Sequence, residues 1–323
     1  MDPAQFVTAP PLTIVAGKGG VGKTTVTATL ALAACRAGKS ALIVEVEGKS
    51  GLPALFGSSE LDYQETLLLP ADPTSGRAEL RARTLTPDTA LVEYLRDHGL
   101  KRVSNRLAQS GAVDMIATAT PGIKDVLILG KVKQLQRNGA ADVIILDAPA
   151  AGHAISFLRS ARGLLGAVTM GPIESQAREV VDLLTDASRC QVLLVTLPEE
   201  TPVNEIVETA FALEDEVGVA LGPVVVNGRY QSRPGLMVDP HSAITRAGVD
   251  VSVELAADLS TVVGFHEGRR HLQDEQVRRL AEALPLPQLV LPQLFTAQMG
   301  FAELEHLADE LTADIVDLPA ATS

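Results

Sequence analysis

Six nearly continuous apolar runs punctuate the chain: "LTIVAG" at 12–17, "SALIVEVEG" at 40–48, "DVIILDAP" at 142–149, "QVLLVTLPEE" at 191–200, "GPVVVNG" at 222–228 and "LPQLVLPQL" at 286–294. Each ends near glycine, proline or an acidic residue. Unbroken apolar runs, unlike alternating ones, predict strands covered on both faces, as in a parallel sheet. Between the runs the period lengthens. Residues 23–37 read as a helix, Ile206, Ala210, Leu213 and Val217 form one apolar stripe, and Phe301, Leu304, Ala308, Leu311 and Ile315 form another. This alternation predicts an α/β fold with a doubly wound, mostly parallel sheet. Residues 85–137 and 154–189 break the rhythm and read as helices, with turn signals at "DHG" (97–99) and "ATPG" (119–122). They predict a helical subdomain, from about 85–140 and 154–190, within a single domain spanning 1–323. Residues 228–265 show no regular period and read as irregular.

Composition narrows the function classes. Of 323 residues, 46% are hydrophobic and 21% charged, an ordinary globular balance, and only 3% are aromatic, so Ala, Val, Leu and Ile must build the core. A net charge of −13 repels phosphate backbones and argues against nucleic acid as a partner. The arginines of 77–83 and 269–279 read as solvated helix faces. Cys35 and Cys190 are far apart in sequence, form no zinc or redox motif, and read as small buried apolar residues. No apolar run approaches the ~20 residues of a membrane span, so stable membrane insertion is not expected. The start "MDPAQFVTAPP" lacks a basic run followed by an apolar stretch, and a cytoplasmic location is expected.

Chemistry enters with "GKGGVGKT" at 17–24, which follows the first apolar run and opens the first helix. It satisfies G-x-x-x-x-G-K-[ST] in strand–loop–helix context, the signature of the P-loop NTPase type. Phosphate oxygens need several backbone N–H groups aimed at one place, which demands tight curvature without Cβ clashes. Gly19, Gly20, Val21, Gly22 and Thr25 belong to this cradle. The helix N-terminus adds partial positive charge, Lys23 is placed to reach the β- and γ-phosphates, and Thr24 to ligate Mg²⁺. ATP and Mg²⁺ are the expected cofactors. Lys18 is a second lysine that an ordinary phosphate loop does not require. Asp147, closing the third run, can hold Mg²⁺ through water.

"KGGVGKTT" (18–25) resembles the deviant phosphate loop of the nucleotide-switch ATPases, and "LDAPAAGHAISFLRSA" (146–161) is similar to the switch of their arsenite-pump and tail-anchored-protein-targeting branch. "ATPGIKDVLILGKVKQLQ" (119–136), "VTLPEETPVNE" (195–205), "VVVNG" (224–228) and "LPQLFTAQMGFAELEHLADEL" (291–311) resemble further segments of that branch, and "GRRHLQDEQ" (268–276) echoes one of its helix starts. The resemblance implies that Lys18 crosses a dimer interface to the other subunit's nucleotide. It implies that the turn Pro149–Gly152, with His153, moves when the γ-phosphate leaves. It also implies that Asn227 reads adenine, beside the loop containing Pro292. An ATP-hydrolysing dimeric switch acting on a protein client or partner is the implied function.

The sequence departs from the branch in three places. The switch aspartate that orients the attacking water is replaced in "VEVEGKSGLPALFG" (44–57), where Glu47 is the better register match and Glu45 the second. The longer side chain implies slow hydrolysis. It also leaves open a weakly or non-hydrolysing subunit paired with a paralogue in a heterodimer. The cysteines form no cluster, so arsenite is not an expected substrate, and without C-x-x-C no zinc joins a dimer. Met115 and Met170 are the only methionines of the helical stretches, so client binding rests on the resemblance alone. A septum- or partition-type positioning ATPase is the least favoured reading, because the C-terminal region is acidic.

Overall fold

The computed structural model describes residues 1–46, 51–58, 60–97, 99, 122–167 and 171–319. Its centre is an eight-stranded sheet in the order β3-β4-β2-β5-β1-β6-β7-β8. The strands are β1 (Leu12–Gly17), β2 (Ala41–Val46), β3 (Thr66–Leu69), β4 (Leu80–Leu85), β5 (Val143–Ala150), β6 (Cys190–Thr196), β7 (Leu221–Arg229) and β8 (Gln288–Pro292). Only β3 runs antiparallel to its neighbour. The six apolar runs coincide with β1, β2, β5, β6, β7 and β8.

Both sheet faces are buried, which is why those runs are apolar at consecutive positions. One face packs against α1 (Pro3–Thr8), α2 (Lys23–Arg36) and α11 (Phe301–Asp317), with Val15, Ile43, Ile145, Leu193 and Val195 pointing that way. Leu12, Ile14, Leu42, Ile144 and Val192 point to the other face. There they meet α5 (Ile123–Arg137), α6 (Ala151–Ala167), α7 (Pro172–Thr185) and α8 (Glu200–Ala212). The stripe Ile206, Ala210, Leu213 and Val217 is buried as its spacing required, although its last turn, Leu213–Val217, is a π-helix. A short helix α3 (Leu52–Leu55) follows β2, and α4 (Pro87–Asp97) packs Ala90 and Leu91 against Ile123 and Leu127 of α5. The helices of 85–137 and 154–189 therefore exist over their described parts, while Met115 and Met170 lie outside the described residues.

Three expectations change. The arginines of 77–83 do not lie on a helix: Arg81 and Arg83 belong to β4. Arg83 is buried, stacks 4.6 Å from the Tyr63 ring centroid and lies 3.8 Å from Glu65. β3 and β4 escape detection because β4, which lies between the edge strand β3 and β2, alternates arginine with apolar residues. Residues 228–265 are not irregular. They hold a 3₁₀ turn (Pro234–Met237), α9 (Pro240–Ala247) and the start of α10 (Val253–Ala283). Asp239 and Ser252 cap the two helices by accepting from the Ser242 and Leu255 amides, each satisfying an otherwise orphaned donor. Finally, "GRRHLQDEQ" lies in the middle of α10, not at a helix start. The arginines of 269–279 are on a helix face, as read, but several are ion-paired: Arg270 reaches Glu267 at 3.0 Å and Asp274 at 2.9 Å.

Candidate active site

The sheet's carboxyl edge gathers the candidate residues. β1 delivers the chain to Gly17, whose α-carbon passes so close to β6 that an added Cβ would stand under 3.0 Å from the Val195 carbonyl oxygen. The loop then reverses through Gly20 and Gly22, with φ +85° and +89°, a left-handed region that disfavours a Cβ. Gly22 caps α2, so the free amides of the first turn face the loop's concave side. Lys23 folds back over the loop and donates to the Lys18 carbonyl at 3.1 Å. Burial holds its ammonium below the ordinary lysine value, against the opposing pull of Asp147. Asn227, from β7, donates its amide to the Val21 carbonyl at 2.9 Å and fills the space a Gly22 side chain would need. Pro292 is buried at the end of β8 and lines a cleft of about 400 Å³ with Arg229, Tyr230, Arg270 and Asp274.

Asp147 is 7% exposed. Thr24 donates its hydroxyl to Asp147 Oδ2 at 2.7 Å, while Oδ1 is buried with no hydrogen-bond partner. Burial raises this carboxyl above the ordinary value; Thr24 and Lys23 pull it down, and Glu45 pushes it up. An orphaned buried oxygen beside a Thr hydroxyl fits a Mg²⁺ site, since that ion takes one or two protein oxygens and keeps several waters. Sequence reading missed Glu45's placement. It is the register partner of Asp147 on β2 and of Thr84 on β4, is buried, and accepts a hydrogen bond from the Thr84 hydroxyl. The signal lay in its spacing: Glu45 shares the parity of Ile43, which faces α2. Glu47 lies outside the described residues.

Two features of the expected switch differ. No turn covers Pro149–Gly152: β5 continues to Ala150 and α6 begins at Ala151. His153 is exposed on the first turn of α6. Lys18 pairs with Glu205 of α8 at 2.6 Å, both side chains being over a third exposed (44% and 38%). Both cysteines are buried, and burial pushes their thiols up to about 12, which makes them poor nucleophiles. Among the described residues, no three His, Cys, Asp or Glu side chains gather to hold a metal, and no helix is long and apolar enough to cross a membrane.

Residues 12–170 match the family described as anion-transporting ATPase, and the ATPase BagA of Mycobacterium tuberculosis is 32% identical over 300 residues, covering 87% of this chain and 86% of that protein. The chain belongs to the anion-transporting ATPase family. The matched residues include the glycine loop, the second lysine Lys18 and the Thr24–Asp147 pair. The ATPase get3 of Schizosaccharomyces japonicus is 31% identical over 144 residues, 45% of this chain and 42% of that protein. The ATPase get3 of Schizosaccharomyces pombe is 26% identical over 175 residues, 52% and 50% of the two chains. The anion-transporting ATPase match spans the phosphate loop, β2 and Asp147, whereas Asn227, Pro292 and α10 lie beyond it.

Proposed function

We propose that the chain is an ATP-binding and ATP-hydrolysing switch that works as a dimer and couples its nucleotide state to a protein client or partner. The observation that carries this reading is the Lys23–Thr24–Asp147 constellation, with Lys18 half-exposed on the same loop. In it, the amides of Gly19, Gly20, Val21, Gly22 and Thr25 hold the phosphates and Lys23 neutralises them. Thr24 holds Mg²⁺ directly and Asp147 holds it through water. Mg²⁺ supplies charge neutralisation across the phosphates. Asn227 and Pro292 receive the base, which the amide can both donate to and accept from.

Lys18 is the residue we assign to the partner's nucleotide. Its pair with Glu205 must open first. An exposed pair of this kind is worth about 1 kcal/mol or less, so it restrains Lys18 without locking it. Pro149, Gly152 and His153 carry the switch; with strand running directly into helix, movement there would shift α6 as a unit.

Glu47 orients the attacking water in this reading. Phosphate release from wild-type protein with Mg-ATP is expected, and Glu47→Gln should reduce it by on the order of a hundredfold while ATP still binds. Equal rates in the two proteins would remove Glu47 from the mechanism. A weakly hydrolysing subunit, paired with a paralogue, is the second reading. It is favoured by the engagement of Glu45 with Thr84, which leaves one carboxylate beside Asp147 already committed. Saturable ATP binding without phosphate release would select it.

A further inference from the structure

Helix α5 floors a charged groove between α4 and α7 that the nucleotide chemistry does not use. Leu127, Gly130, Lys131, Gln134 and Arg137 recur at intervals of three and four residues and share one face of α5. Glu93 and Tyr94 of α4 form one wall, and Gln176 and Glu179 of α7 the other, around a cavity of about 240 Å³. That is the volume of about eight liquid waters. α5 leads into β5, so its last two turns lie toward the sheet's amino edge, away from the phosphate loop. Gly130 shapes the floor: an added Cβ would stand under 3.0 Å from the Gln176 side-chain amide. Glycine inside a helix is unfavourable relative to alanine. The sequence accepts that loss at a point where a side chain would displace Gln176 and narrow the groove.

We infer that this groove is a binding site for a small organic anion, its carboxylate or phosphate received by Lys131, Lys133 and Arg137 and its other polar groups by Gln134 and Gln176. The lysines are poised for a further acceptor. Lys131 donates to Glu93 Oε1 at 2.5 Å and Gln134 Oε1 at 3.0 Å, and Lys133 to Gln176 Oε1 at 3.1 Å and Glu179 Oε2 at 2.6 Å. An ammonium carries three protons, so each keeps one. Arg137 has no hydrogen-bond partner among the described residues, and its planar fork suits a carboxylate or phosphate. Three cations and two carboxylates line the cavity, a local positive excess in a chain of net charge −13. Both lysines are nearly buried, at 11% and 10% exposure. Ion pairs so buried add little net stability, so folding alone gives no reason to keep two of them. Ala90 and Leu127 supply an apolar patch for the anion's carbon atoms. The volume lies below the roughly 300 Å³ at which pockets for drug-sized ligands begin, so the ligand is small.

The test is calorimetric titration of the full chain, with saturating Mg-ADP to keep anions off the phosphate loop. Malate, glycerol 3-phosphate and uncharged glycerol are the probes. Saturable one-site binding of malate or glycerol 3-phosphate is expected, with none of glycerol, and the tighter anion tells whether a carboxylate or a phosphate is preferred. Arg137→Gln and Gly130→Ala should each weaken that binding at least about tenfold. Arg178→Gln should bind as wild type, because its exposed guanidinium pairs with Glu174 and does not line the cavity. Melting temperatures should stay close to wild type: both arginines are exposed, and at position 130 the flexible end of Gln176 can turn aside. Failure of folded wild type to bind either anion at millimolar concentration overturns the site. Undiminished binding by Arg137→Gln or Gly130→Ala overturns it too, as does equal binding of glycerol. Equal weakening by Arg178→Gln would reduce the effect to general surface charge and overturn it as well.

Discussion

Gly17→Ala is expected to unfold the protein more readily by roughly 2–3 kcal/mol, the scale of an overpacked core position. The new methyl group would meet the Val195 carbonyl, a backbone atom inside the β1–β6 ladder, and neither strand can yield without losing hydrogen bonds. Gly22→Ala should differ in kind. Its obstacle is the Asn227 amide, a side chain that can rotate away. The left-handed backbone costs about 1–2 kcal/mol with a Cβ. Displacing Asn227 forfeits a hydrogen bond worth about 1 kcal/mol. The larger loss falls on function, because the loop curvature and the residue assigned to the base are disturbed together. Denaturant titration and ATP titration of both variants check this: Gly17→Ala should move chiefly the first, Gly22→Ala both, with ATP affinity down at least about tenfold.

Asp147→Asn is expected to stabilise the nucleotide-free protein while weakening Mg²⁺ binding to the ATP complex. Burial raises the Asp147 carboxyl pKa in the folded state above its unfolded value. The folded state therefore holds its proton more tightly. The stability this group contributes is complete below the unfolded carboxylate pKa of about 4. It is lost as pH rises through the raised folded value, so at neutral pH the ionised group is a cost. Asparagine removes that cost without removing the acceptor for Thr24. The variant should melt above wild type at neutral pH, and the gap should close as pH falls toward about 4. Mg²⁺ affinity in the ATP complex should drop roughly ten- to hundredfold, as for a lost outer-shell ligand. A variant that melts lower at neutral pH would show that Asp147's hydrogen bonds outweigh its desolvation.

Much of this was legible in the sequence because the chemistry is local. The phosphate loop is contiguous, and its glycines answer two separate demands, close approach at Gly17 and left-handed backbone at Gly22. The buried strands declared themselves by unbroken apolar runs. β4 did not, because its arginines interrupt the apolar run; a strand paired on both sides can still carry Arg81 and Arg83 once Glu65, Glu79 and Tyr63 receive them. Helix α10 was obscured over 253–265 because Val253, Leu255, Leu259, Val262 and Phe265 are exposed apolar residues on several sides of the helix, blurring the period. The Lys18–Glu205 and Glu45–Thr84 pairs join residues far apart in sequence, which no local pattern encodes.

The most direct test of the central claim is an equilibrium titration of Mg-ATP into wild-type and Lys23→Ala protein. Saturable one-site binding by wild type, weakened on the order of a hundredfold by loss of the lysine's charge-assisted contacts, is the predicted result. Equal affinity in the two proteins, or no binding by a folded wild type, would contradict it.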